Sequence, residues 1–239
     1  MAEPAVAWEI PEPDVSHLIT EDDEPVESFF QDLQQRILVD ALNTSWPEGR
    51  PFISAVDVAI FATTKEPGIV PDVLLSTGVS YPADIMEKNR RSYFMWLFGK
   101  PPEVVVEIVS NRLGGEDTSK LESYARIKVP YYVVYDPHKL LSQRCLRVYQ
   151  LSGASYVEKV DGWFPEIKLG VTLWTGSYET MSATWLRWCR QDGQLLETGP
   201  EKAQSQASLA DAERARADEE QRKRLALEEK LRSLGVEPD

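Results

Sequence analysis

Two carboxylates and an amine stand out in the middle of this 239-residue chain. Asp72 follows Pro71 at the mouth of the apolar run Val73-Leu74-Leu75, and Glu107 is embedded in Val104-Val105-Val106-Glu107-Ile108-Val109. Lys120 comes four residues before Tyr124, in a segment of helical character. An acid on one strand, an acid on the next and a lysine on the following helix are the parts needed to hold a hard cation and activate water. A carboxylate between Val106 and Ile108 costs several kcal/mol in a buried strand unless it is paired or bound to metal. The other reading is a strand-end acid that faces solvent. Alternation does not place it outside, because Glu107 shares its face with Glu103, Val105 and Val109. Lys120 falls in the first turn of its helix, where the dipole disfavours a cation and hints at a nearby anion; a lysine that points into water is the alternative.

The elements that must position these groups follow from hydrophobic periodicity. Phe29, Phe30, Leu33, Ile37, Leu38, Ala41 and Leu42 recur at spacings of three and four, which predicts an amphipathic helix with Pro25 in its first turn and Asn43 at its end. Glu27 lies in that first turn, where helix-dipole stabilisation alone accounts for a carboxylate. The runs 52–61 and 69–75, joined by the turn Lys65-Glu66-Pro67-Gly68, predict two antiparallel strands that place Asp57 beside Asp72 as a structural acid. Residues 84–99 mix basic and aromatic side chains and read as a helix closing at Gly99. After Pro101-Pro102 comes the strand bearing Glu107, then a polar loop over 111–118 with Gly114-Gly115, the Lys120 helix, and a strand over 129–135. Strand, helix, strand is the βαβ pattern and predicts parallel pairing of the two strands. A hairpin over 144–160 turning at Ser152-Gly153, extended pieces over 163–174 and a short helix over 175–188 complete the body.

Composition divides the chain. Residues 1–27 carry nine acids and no Lys or Arg, and 1–25 read as an acidic flexible arm. Residues 26–190 form the expected domain, and 200–239 a polar helical tail whose apolar positions are too sparse for a coiled coil. The net charge of −13 argues against a nucleic-acid partner, yet residues 88–147 hold eleven Lys/Arg against six Asp/Glu. A basic middle behind an acidic arm is compatible with phosphate binding; a merely solvated face explains the same charges. No apolar run reaches the ~18 residues needed to span a bilayer, and no basic stretch followed by an apolar one opens the chain, so a cytoplasmic protein without a membrane segment is expected. Cys145 and Cys189 sit far apart and read as separate buried thiols.

Taken together, Val26-Glu27-Ser28 opening a helix, Pro71-Asp72-Val73, Val106-Glu107-Ile108-Val109-Ser110, Lys120 with Tyr124, and Val133-Val134-Tyr135-Asp136-Pro137 resemble the restriction-endonuclease family abundant in cyanobacteria, a branch of the PD-(D/E)XK nuclease superfamily. The resemblance covers roughly residues 20–180. It implies an α/β, restriction endonuclease-like core: a central mixed β-sheet flanked by helices, here with a C-terminal helical tail. It further implies a Mg²⁺-dependent DNA endonuclease, Mn²⁺ being an alternative ion, with Asp72 and Glu107 as metal ligands together with the carbonyl of Ile108. Lys120 would orient or deprotonate the attacking water, and Glu27 would contribute from the first helix. The lysine that the superfamily places two residues after the second acid is Val109 here, so the cation must come from elsewhere, and Lys120 is the candidate. Cutting both strands of a duplex would suit a homodimer. A catalytically degenerate member kept as a DNA-binding or assembly module, and an orphan structural protein whose acids are merely ion-paired, stand as the other readings.

Overall fold

Three β-branched and aromatic runs, too apolar to face water on either side, build the centre of the molecule. In the computed structural model, which describes residues 28–88, 90–110, 116 and 118–233, they become strands buried along their whole length. The elements in chain order are α1 (Phe29–Ser45), β1 (Phe52–Val56), β2 (Ile60–Phe61), β3 (Val73–Thr77), β4 (Tyr93–Phe94), α2 (Met95–Phe98), β5 (Val104–Ile108), α3 (Ser119–Arg126) and β6 (Tyr131–Tyr135). They continue with β7 (Leu146–Ser152), β8 (Ser155–Lys159), β9 (Trp163–Phe164), β10 (Leu169–Tyr178), β11 (Met181–Cys189) and α4 (Gly199–Ser233).

Six strands form the main sheet in the order β1-β3-β5-β6-β7-β8. It is mixed: β5 and β6 pair in parallel across the α3 crossover, and the other neighbours are antiparallel. Alternation sends Val73, Leu75, Val104, Val106 and Val133 to one face, where α1 and the β9–β11 sheet cover them. Leu74, Val105, Tyr132 and Val134 point to the other, under α3 and the small β2–β4 pair. Burial on both faces explains why these strands read as continuous apolar runs.

Helix α1 starts four residues after Pro25, because Ser28 caps it by accepting the N–H of Gln31 at 3.2 Å. The expected arm over 1–25, Glu27, the loop over 111–115, Asp117 and the chain end over 234–239 lie outside the described residues. Three elements differ from the periodicity reading. The expected strand over 52–61 breaks at Asp57, whose φ of 52° is left-handed, and resumes as β2. Residues 84–88 and 90–99 are turns and bends, the two-residue β4 and one helical turn, ended by Gly99 at φ 75°. Tyr93 and Phe94 leave the helical pattern because their backbones pair with Ile60 and Phe61.

The largest difference is over 175–188, where β10 and β11 form a long antiparallel hairpin instead of a helix. Hydroxyl pairs tie its outer end together, Thr175 to Thr184 at 2.9 Å and Ser177 to Ser182 at 2.6 Å. Gly176 is required there: a Cβ would come within 2.1 Å of the Trp174 ring. On the inner end, Arg187 is buried beneath Trp174, 5.1 Å from its ring centre, and forks onto Glu201 of α4 at 3.0 and 2.7 Å. This pair seats the first turn of α4, while most of the remaining helix is exposed.

Candidate active site

Sheet register brings the acids together. Val56 pairs with Val73, and Val73 with Val106; one step further along places Asp57, Asp72 and Glu107 side by side across three strands. Asp57 donates its N–H to the Asp72 carbonyl at 3.3 Å. Asp72 in turn accepts the backbone N–H of Ile108 at 2.5 Å, which fixes its carboxylate against β5. Glu107 is 1% exposed and points under α3.

Helix α3 supplies what a buried carboxylate demands. Lys120 donates to one oxygen of Glu107 at 2.8 Å, and Tyr124, one turn later, donates to the other at 2.7 Å. The spacing of four puts both donors on one face of the helix. Val109, in the position where the superfamily carries its lysine, packs in the apolar core under α3. The ammonium that meets Glu107 is that of Lys120, carried on α3.

Helix α1 reaches Asp72 and Asp57 from the opposite layer. Gln31 donates to Asp72 at 2.8 Å; Gln35 donates to Asp57 at 3.0 Å and lies 3.4 Å from Asp72. Gln34 belongs to structure instead, its amide clamping both backbone groups of Leu186 at 2.9 Å. Periodicity reading passed over these glutamines. The available signal was a polar residue at positions flanked by Leu33, Ile37 and Leu38 that the helix must bury.

Glu116 is the other residue that sequence reading missed, having been absorbed into the polar loop. It is 6% exposed, its carbonyl accepts the Tyr132 hydroxyl at 2.6 Å, and one carboxylate oxygen lies 3.6 Å from Lys120. Its spacing of four from Lys120 was the only sequence hint. Asp136, part of the motif that ends β6, accepts the N–H groups of Leu140 and Leu141 at 2.8 Å each and is a turn-former.

Burial dominates the electrostatics of the cluster. Burial, reinforced by the negative charge of Asp72, pushes the Glu107 carboxyl up to about 8 despite Lys120 and Tyr124. Burial also raises Asp72, against the opposing pull of the Ile108 N–H, Lys120 and Gln31. For Lys120 burial works downward, but the charges of Glu107, Glu116 and Asp72 together hold it protonated above its ordinary value.

Among the described residues no group of three or more His, Cys, Asp or Glu side chains is arranged to hold a metal by itself. The donors nevertheless fit a hard divalent ion that takes one or two carboxylates and keeps several waters. Asp72 and Glu107 offer hard oxygens, and the upward push on Glu107 marks a deficit of positive charge that such an ion would fill.

The structure thus gathers a cluster of carboxylates and a helix-borne lysine at one end of a mixed sheet set between helices. The chain belongs to the family described as "Putative restriction endonuclease" (Uma2), whose model matches residues 10–174. No curated protein matches the chain. Among solved structures, a "putative nuclease belonging to DUF820" from Anabaena variabilis ATCC 29413 matches over 59% of this chain and 74% of its own, with 16% identity and a TM-score of 0.41. No helix among the described residues is long and apolar enough to cross a membrane.

Proposed function

We propose that this chain is a Mg²⁺-dependent DNA endonuclease that hydrolyses phosphodiester bonds, with Mn²⁺ as a substitute ion. The observation that carries the reading is the convergence of Asp72, Glu107 and Lys120, three groups from separate elements, on one end of the sheet. Asp72 and Glu107, with the carbonyl of Ile108, would hold the ion. Once bound, it supplies neutralisation of the scissile phosphate and a water of lowered pKa.

The protein's own groups do the rest. Asp72 is aimed by the Ile108 N–H and by Gln31, so its carboxylate is set before substrate arrives. Lys120, kept charged by its acidic neighbours, stabilises negative charge as it builds on the phosphate and orients the incoming water. Tyr124 holds Glu107 in place from the far side. Glu27 immediately precedes the Ser28 cap of the helix whose Gln31 bonds Asp72, which supports a contribution from that end of α1. The excess of Lys/Arg over 88–147 suits a phosphate backbone, and paired cuts on a duplex suit a homodimer.

The test is a plasmid-cleavage assay with and without Mg²⁺, on wild type beside Asp72→Ala, Glu107→Ala and Lys120→Met. Cleavage by wild type alone, reduced about a hundredfold or more in each variant, is expected. Nicking that survives Glu107→Ala would sink the proposal, and DNA binding without any cleavage by wild type would turn it into a binding module.

A further inference from the structure

At Glu107 a cation and Lys120 would seek the same carboxylate. Lys120 donates to one oxygen of Glu107 at 2.8 Å and Tyr124 to the other, so an ion that takes Glu107 competes with the Lys120 ammonium for the same negative charge. Of the two donors, Lys120 is the group with somewhere else to go. Glu116 places one carboxylate oxygen 3.6 Å from the Lys120 amine, inside ion-pair range but beyond a hydrogen bond.

The other oxygen of Glu116 is buried and has no hydrogen-bond partner among the described residues. Such an acid is costly to bury while half-paired, and it becomes fully paired if the amine moves toward it. Its position is anchored: Tyr132 of β6 donates to the Glu116 carbonyl, and Tyr132 stands within the Tyr124, Tyr149 and Tyr156 ring cluster. The four-residue spacing to Lys120 spans the start of α3.

We infer that Glu116 is a positioning residue, the alternative seat that receives the Lys120 ammonium when Glu107 turns to the cation. It keeps the lysine inside the site, and it lowers the cost of releasing Glu107. The inference rests on the reading of Asp72 and Glu107 as the cation-holding pair. Nothing in it requires Glu116 to touch the ion.

A double-mutant cycle on the full chain tests this, with Mg²⁺ affinity read by calorimetry and by thermal shift in the absence of DNA. Glu116→Gln, which keeps the shape, is expected to weaken Mg²⁺ binding about tenfold or more, because Lys120 then stays on Glu107. Lys120→Met is expected to bind Mg²⁺ more tightly than wild type. Adding Glu116→Gln to Lys120→Met is expected to cost at least about fivefold less than it costs alone. Glu116→Asp, which retains the charge, should recover most of the affinity and serves in its place if Glu116→Gln does not fold. An equal penalty with and without Lys120 would overturn the inference, by making Glu116 a plain charge or a ligand of the ion. Failure of Mg²⁺ to bind wild type at all would remove the cation-holding pair itself, a separate and distinguishable result.

Discussion

Asp72 and Glu107 stand opposite one another at the end of the β3–β5 pairing, and Asp72 is bonded at 2.5 Å to the N–H of the residue that follows Glu107. Two carboxylates so placed repel, and only Lys120 and the surrounding N–H and O–H donors hold them. Three consequences can be measured, and a fourth prediction concerns the seat of α4.

Divalent ions should stabilise the protein. At about a hundred times the dissociation constant the gain is about 2.7 kcal/mol, which for a chain of this size raises Tm by roughly 5–10 °C. Asp72→Asn and Glu107→Gln should show little or no rise. Differential scanning fluorimetry with Mg²⁺, Mn²⁺ and chelator decides it; a rise of the same size in both variants would place the ion elsewhere.

Stability without metal should fall as pH rises. The Glu107 carboxyl titrates near 8 when folded and at its ordinary 4.5 when unfolded, so between those values the folded chain holds a proton that the unfolded chain has released. The contribution is whole below 4.5, erodes with rising pH and is gone above about 8. Urea midpoints between about pH 5 and pH 8 should decline for wild type and flatten for Glu107→Gln, and Mg²⁺ should oppose the decline.

Gln31 should matter beyond its place on a helix. Its amide donates to the Asp72 carboxylate at 2.8 Å, a hydrogen bond to a charged group. Gln31→Ala should cost about 1.5–3 kcal/mol and raise the Asp72 pKa further. Urea denaturation and carboxylate NMR titration read the two effects. An exposed glutamine such as Gln204 serves as the control.

The seat of α4 should depend on one ion pair. Arg187 is almost wholly buried, and Glu201→Ala leaves its fork with Leu196 O and the Trp174 ring alone. The expected loss is about 2 kcal/mol, less than for a fully buried pair because Glu201 is partly open to water. Amide exchange should quicken in the first turns of α4, with β3, β5 and β6 unchanged. Uniform quickening would mean that the pair supports the whole core.

The contrast between β5 and β11 shows what was legible in advance. Val104 to Ile108 reads as a strand, because four of its five residues are β-branched and suit a sheet covered on both faces. Met181 to Trp188 lies in the span that the sequence predicts as a short helix; its strand is decided by pairing with β10, a contact with residues up to nineteen positions away. The same holds at Tyr93 and Phe94, which are extended only because β2 offers a partner.

By itself the sequence determined the three central strands, the turn at Gly153, the carboxylate identities at positions 72 and 107, and the shared helical face of Lys120 and Tyr124, since each is a matter of local pattern. Tertiary structure alone decided that Gln31 and Gln35 reach Asp72 and Asp57 from another layer, that Glu116 is drawn in beside Lys120, and that burial pushes the Glu107 carboxyl up. Proximity between residues far apart in the chain, and the loss of water that makes charge expensive, are properties of the packed molecule and leave no period in the sequence.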